Sequence, residues 1–396
     1  MKHNMLNTIK ICLSIVLAAA ISNLSFGQGQ DQPLNIAVEV PVLGQTKPIP
    51  VSIEGFGPEV TEILKFDLYV QGFTFVAPDA AQYHISGTSS GNVVGRVTVG
   101  RNTILSRSYN GATLRRQAHA FSDDVVLAIT GKKGIAQTRI AFKVEAPSGN
   151  GEIYVADFDG HNAQAVTHDG VIVSAPSWVP GRAALYYNSY KLNNPDIFYH
   201  NLNTGERRVI AHYSGSNISP AASPDGSRVA MIMSRSGSPN VWVANADGAN
   251  PRKLTSTSED SSPCWSPDGQ WICFATKIHE RRVLAKVPAA GGEVEVIRTP
   301  GAPNPTEPDW SPDGKWIAFT LQAGEFDICV MPADGSAPPT ILVRGEDPSW
   351  SPNSRTLVYA RRNGGRYTLS LLDVYTKQVK DIHQISGSDS EPSWAK

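Results

Sequence analysis

The amino-acid sequence predicts a multidomain chain, a small N-terminal α/β domain followed by an all-β six-bladed β-propeller. Three observations predict it. One tryptophan-centred word recurs six times at steps of 44, 43, 45, 40 and 44 residues, the period of a propeller blade. Each step divides into four short apolar runs separated by Pro- and Gly-containing turns. The sixth word ends the chain, and the three strands it lacks are spelled upstream of the first.

The words are "APSWVPG" (Trp178), "SPAASPDG" (Ala222 in the tryptophan column), "SPCWSPDG" (Trp265), "EPDWSPDG" (Trp310), "DPSWSPNS" (Trp350) and "EPSWAK" (Trp394). Pro presets φ and Asp-Gly tolerates the left-handed region, so Ser-Pro-Asp-Gly turns the chain after the first strand. Asp225, Asp268 and Asp313 therefore read as turn residues rather than metal ligands or acids. Second strands read Leu185-Tyr186-Tyr187, Val229-Ala230-Met231, Ile272-Cys273-Phe274, Ile317-Ala318-Phe319 and Leu357-Val358-Tyr359. Third strands include 196–199, 240–243 and 327–330, and a fourth is 253–255. Upstream of Trp178, residues 139–142, 152–155 and 165–167 match the second, third and fourth columns. The C-terminal strand is therefore expected to pair with residues from the 139–168 region, closing the ring and removing its sheet edges.

In such a meander the 1–2 and 3–4 turns share one face, and these carry the repeated words. The 2–3 loops and blade-to-blade links share the other, where the sequence varies ("YKLNNP", "RSGSP", "KIHERR", "LQAGEF", "RRNGGR"). Variable loops on a rigid scaffold are where binding usually resides.

Residues 35–131 read as the α/β domain, and 132–396 as the propeller. Residues 36–40 are strand-like. "GPEVTEILKFDLYVQG" is a helix with Val60, Ile63, Leu64 and Leu68 on one face, and "LRRQAHAFSDDVVLAITG" is a second, with Leu114, Ala118, Phe121, Val125 and Ile129 as its stripe and Gly131 as its stop. Between them "FTFVAP", "YHISGTS", "VVGRVTV" and "TILSRSY" read as strands.

Residues 1–27 have the build of a secretory signal peptide: Lys2 and Lys10, the apolar "ICLSIVLAAAI", and small Ser25 and Gly27 before a cut at Gln28. Residues 28–34 read as a mobile arm. Formal net charge is −1, and loss of the two lysines takes it to −3, so no basic field points to nucleic acid or an anionic membrane surface. An exported, monomeric protein without membrane insertion is expected. Cys12 leaves with the signal. Cys264, Cys273 and Cys329 remain in apolar strand patterns, which suits small buried hydrophobes; Cys264 and Cys273 face each other across one hairpin.

Catalytic motifs are weak. "GTSSG" (87–91) fits a nucleophile elbow formally but lies between alternating strands, which makes it a hairpin loop. No HExxH, Walker or dinucleotide-binding loop occurs, and no cofactor is implied. His161, His168, His212, His279 and His383 fall in or near propeller turns and links without forming a column. The basic pairs Arg281-Arg282 and Arg361-Arg362, with Arg366, lack the interleaved aromatics of a nucleic-acid surface. The chain ends at Lys396, directly after the closing strand, so no hydrolase domain is expected to follow the propeller.

The junction "HAFSDDVVLAITGKKGIAQTRIAF" (119–142) with "VADFDGHN" (155–162), preceded by an α/β domain and followed by the six words, resembles the TolB family of the Tol–Pal system over nearly the whole mature chain. The resemblance implies a periplasmic adaptor, not an enzyme. In that family the N-terminal arm engages the inner-membrane protein TolA, which points here to Gln28, Gln30, Asp31, Gln32 and Leu34. The channel mouth engages the outer-membrane lipoprotein Pal, in support of outer-membrane integrity and constriction at division. By motif alignment, the Pal-facing positions are Ser216 and Asn217, Ser261 and Ser262, and Thr306 and Glu307. The residue before each motif proline sits near the mouth, which adds Asp347 and Glu391 as acids able to accept a basic partner loop. The family often carries His where Ser216 stands and Glu where Ser262 stands, so either the Pal surface has drifted to match or the partner itself differs. The alternative from another class is a periplasmic propeller hydrolase or lyase with a channel-mouth metal site.

Overall fold

The structure, a computed structural model, describes residues 41–146, 148–383 and 387–396. The expected signal peptide (1–27), arm (28–34) and strand at 36–40 lie outside the described residues.

The α/β domain holds one five-stranded sheet. Its elements in chain order are β1 (Ile49–Glu54), α1 (Pro58–Tyr69), β2 (Phe73–Phe75), β3 (Tyr83–Thr88), β4 (Val93–Val99), β5 (Asn102–Tyr109) and α2 (Leu114–Thr130). The sheet order is β2-β1-β3-β4-β5. β1 pairs in parallel with both neighbours, and the β3-β4-β5 meander is antiparallel. Pro58 opens α1, where its missing N–H costs nothing. Thr113 caps α2 by accepting from Arg116 N at 3.2 Å, and Gly131 ends it at φ 70°. Val60, Leu64 and Leu68 of α1 and Ala118, Phe121 and Val125 of α2 share one core with Val51, Ile85, Val93 and Val97 of the sheet. Burying side chains of this size stabilises by about 1.5–3 kcal/mol each. "GTSSG" forms the end of β3 and the β3–β4 connection, and Ser89 Oγ is spent accepting from Gly57 N at 2.8 Å.

The rest of the described chain is a six-bladed propeller of four-stranded antiparallel sheets. Blades 1 to 5 have innermost strands Val173–Trp178, Asn217–Ala222, Ser258–Trp265, Pro305–Trp310 and Glu346–Trp350. Blade 6 is composite: Ser388–Trp394 pairs with Arg139–Glu145, which pairs with Gly151–Asp157 and then Gln164–Ala165. Trp394 faces Ile140 in this register. Two fourth strands are shorter than expected, Gln164–Ala165 and Arg252–Lys253. The reason is side-chain substitution: Thr167 Oγ1 accepts from Ile153 N and Thr255 Oγ1 from Val241 N, both at 2.9 Å, where the ladder would have continued.

Tryptophans join blade to blade. The indole N–H of Trp178 donates to Ser393 O (3.1 Å), of Trp265 to Ala221 O (2.9 Å) and of Trp350 to Asp309 O (3.1 Å), each in the preceding blade. Trp310 departs, bonding Gly314 O of its own turn at 3.2 Å. The Ser-Pro-Asp-Gly words are turn scaffolds. Asp225, Asp268 and Asp313 each accept from the serine two residues back and from the backbone N–H two residues on, and the serine Oγ accepts from the first N–H of the next strand at 2.9 Å. The Ser223 hydroxyl and the other donors hold Asp225 down at about 2.

The α/β domain packs on the repeated-turn face. Thr356 Oγ1 donates to Val70 O (3.0 Å), and Gln378 Nε2 to Phe73 O (2.9 Å). Val70, Ile135 and Phe158 share a core with Leu371 and Trp394. The junction after Gly131 is folded back on α2, where Asp123 accepts from Ala136 N (2.8 Å) and Gln137 Nε2 (3.0 Å).

Candidate functional site

Six innermost strands surround a channel with a cavity of about 690 Å³. Its lining includes the residue before each motif proline, the prolines themselves and the tryptophan column apart from Trp350. No histidine lines it among the described residues.

The residue before each proline does one thing in all six blades. Ala175, Ser219, Ser262, Glu307, Asp347 and Glu391 adopt φ of 49°, 52°, 50°, 52°, 55° and 51°. Each sits where the pairing of first and second strands shifts register. This is a bulge, which adds a residue to the inner strand and re-aims its side chains at the channel rim. Left-handed backbone is costly for residues with a Cβ, and its sixfold use is a feature of the scaffold.

The bulges are tied together by side chains. Glu391 Oε2 accepts from Ala175 N at 2.5 Å. Asn188 Oδ1 accepts from Ser219 N at 3.1 Å. Glu307 Oε2 accepts from Asp347 N at 3.1 Å and from Thr320 Oγ1 at 2.7 Å. One oxygen of Glu307 and of Glu391 is thus structural, and the rest of each carboxylate faces the mouth. Sequence reasoning missed Asn188, Thr320, Glu346 and Lys143 here, because pairing partners in neighbouring strands carry no shared motif.

The mouth is strongly acidic. Burial, then the charges of Glu307, Glu391 and Glu346, push the Asp347 carboxyl well above its usual range. Burial also raises Glu391, against the Ala175 N–H and the ammonium of Lys143, which lies 3.9 Å from Oε1. Burial raises Glu346.

The expected Pal-facing positions divide. Ser261, Ser262, Thr306, Glu307, Asp347 and Glu391 are all partly exposed. Ser216 is partly exposed, with its N–H held by Ser234 Oγ at 2.8 Å. Asn217 is fully buried; its amide donates to Tyr213 O at 2.8 Å and to Asp196 Oδ1 at 3.3 Å. It offers no surface, and shapes the mouth from behind. Gln28, Gln30, Asp31, Gln32 and Leu34 lie outside the described residues. Cys264 and Cys273 sit opposite each other as buried free thiols.

The profile of the TolB beta propeller domain family matches residues 126–396. The Tol-Pal system protein TolB of Bordetella pertussis (strain Tohama I) is 32% identical over 286 residues, which are 71% of this chain and 65% of that protein, so the match spans just under two thirds of its length. Among solved structures, TolB from Acinetobacter baumannii superposes with a TM-score of 0.81 at 22% identity, covering 90% of this chain and 98% of that one. A putative TolB from Agrobacterium tumefaciens gives 0.53 at 18% identity, covering 64% and 92%. At these identities the two structures speak for the fold alone. With the profile covering the whole propeller, the chain belongs to the TolB beta propeller domain family.

Proposed function

We propose that the chain is a periplasmic adaptor of the Tol–Pal system, a binding protein rather than an enzyme. Its N-terminal arm and α/β domain engage a TolA-like inner-membrane protein, the arm through Gln28, Gln30, Asp31, Gln32 and Leu34. Its channel mouth engages a Pal-like outer-membrane lipoprotein. The linkage supports outer-membrane integrity and constriction at division.

One observation carries the reading of the mouth. The α/β domain occupies the repeated-turn face, while the opposite face carries the variable loops and a rim of partly exposed acids, Glu307, Asp347 and Glu391. Carboxylates this close together, with Asp347 and Glu391 held above their usual range, favour a cation or a basic side chain that relieves their repulsion. Ser216, Ser261, Ser262 and Thr306 supply short hydroxyls around them, and the Pal-like partner is expected to present a basic loop between these blades.

The test is a pull-down from detergent-solubilised envelopes, using the mature chain with and without residues 28–34. Recovery of a peptidoglycan-associated lipoprotein by both baits, and of a TolA-like protein by the longer bait alone, supports the adaptor and separates its two sites. Recovery of neither removes the partner assignment.

A further inference from the structure

A buried charged cluster joins the two domains on the face opposite the mouth. α1 contributes Asp67, α2 contributes Arg115 and His119, and the 3–4 turn of blade 6 contributes Asp159 and His161. Asp67 is 0% exposed, His119 5% and Asp159 6%. His119 Nδ1 lies 2.8 Å from Asp67 Oδ2, and Nε2 lies 3.6 Å from Asp159 Oδ2. Arg115 pairs with Asp159 and lies 2.8 Å from His161 Nδ1. Asp67 Oδ1, His119 Nε2 and Arg115 Nε are buried without a hydrogen-bond partner among the described residues. Phe158 packs edge-on against His119 at 5.9 Å, and Phe66 against Phe158 at 5.8 Å.

Two carboxylates and a histidine this close invite a metal reading. The geometry argues against it. Metal ligands converge on a point about 2 Å from each donor atom. Here the two nitrogens of His119 face two different carboxylates, and the guanidinium of Arg115 already holds Asp159.

The row Asp67–His119–Asp159 asks for two hydrogens. A neutral imidazole has one N–H, so one of its nitrogens turns a lone pair towards a carboxylate where little water enters. An imidazolium has an N–H for each. We propose that His119 is a proton-operated clasp between the domains: charged, it bridges Asp67 of the α/β domain and Asp159 of the propeller, and neutral, it lets them loosen. Burial pushes the Asp67 carboxyl up, so the added proton is shared along the row, and either microstate supplies the same two hydrogens. The other charges facing the row are Glu59 from α1, Arg115 and Asp123 from α2, and Asp157 and His161 from the propeller. Burial, then Arg115, hold His161 down, so it does not supply the charge. A histidine that gains partners on folding gives stability that is present at low pH and lost as pH rises through its titration.

The experiment is amide hydrogen exchange of the full mature chain between about pH 5 and about pH 8, the range in which histidine charge changes. Rates in α2 and in 157–161 are corrected for intrinsic exchange and referred to β4. Wild-type protection at the domain contact is expected to fall about tenfold or more across the range. His119→Gln, with no titration, is expected to give a flat profile. Asp159→Asn removes the propeller's carboxylate and leaves the helix intact; its slope is expected to shrink as well. A wild-type profile as flat as His119→Gln, or an unchanged slope in either variant, overturns the proposal. Should His119→Gln not fold, Asp159→Asn decides it alone.

Discussion

Trp394 donates its indole N–H to Thr138 Oγ1 at 2.8 Å, tying the last strand of the chain to the residue that leads into the first strand of the propeller. Trp394 is 1% exposed and packs with Phe158 and Leu371, so one side chain closes the ring and touches the domain junction. Trp394→Ala is therefore expected to cost about 3–5 kcal/mol, the range for truncating a buried aromatic. Trp310→Ala is expected to cost less, because Trp310 is 9% exposed and its indole bonds its own turn rather than the preceding blade. Urea unfolding of the two variants side by side checks the order. Equal costs, or a smaller one for Trp394, contradict the closure argument.

Gly72 and Gly131 make a matched pair. Both have positive φ, 88° and 70°. A Cβ on Gly131 would meet nothing within 4 Å, whereas one on Gly72 would run into the guanidinium of Arg355, which is paired with Asp373. Gly131→Ala is expected to cost about 1–2 kcal/mol from left-handed backbone alone. Gly72→Ala carries that cost and is also expected to displace the Arg355 guanidinium from Asp373, loosening the contact between the α/β domain and blade 5. Protease cleavage within 131–138 is expected to rise for Gly72→Ala and to rise much less for Gly131→Ala.

Much of this was written in the chain. The tryptophan column fixed the period, and Ile140-Ala141-Phe142 in the second-strand column located the partner of the terminal strand. β1 was not legible. Pro50 lies in this strand but needs no N–H near its start, and its carbonyl still accepts from Gln82 N at 2.9 Å. The mouth acids were legible by alignment, but their structural half was not. That Glu391 holds Ala175, 216 positions away, is a fact of ring closure. The clasp was equally hidden, because Asp67, His119 and Asp159 belong to three elements and two domains.

That structural half separates two substitutions of Glu307. Its Oε2 serves Asp347 N and Thr320 Oγ1. Glu307→Gln keeps an acceptor oxygen, whereas Glu307→Ala leaves the Thr320 hydroxyl without its acceptor and Asp347 N with Thr320 Oγ1 alone, at 3.1 Å. Glu307→Ala is expected to destabilise by about 1–3 kcal/mol, the cost of stranding a buried donor, and Glu307→Gln by less than about 1 kcal/mol. Both remove a mouth charge, so both are expected to weaken a basic partner. Thermal unfolding and partner titration together distinguish loss of the bulge contact from loss of charge.

Asp347 gives the opposite sign. Burial and the nearby carboxylates raise its pKa, so the folded state resists its ionisation. A carboxyl raised on folding penalises the fold above its folded pKa, and the penalty is relieved as pH falls through that value. Asp347→Asn is therefore expected to stabilise the protein at neutral pH by up to about 1 kcal/mol, a figure discounted for the water that reaches the channel. The gain is expected to vanish only on acidification below the pKa of the unfolded carboxyl, where Asp347 is neutral in the folded and unfolded states alike. Affinity for a basic partner runs the other way: Asp347→Asn weakens it at neutral pH, and wild-type affinity declines towards acid as Asp347, Glu346 and Glu391 take up protons. Unfolding curves and binding isotherms at matched pH values check both trends. A variant less stable than wild type at neutral pH would show that Asp347 holds the bulge rather than straining it.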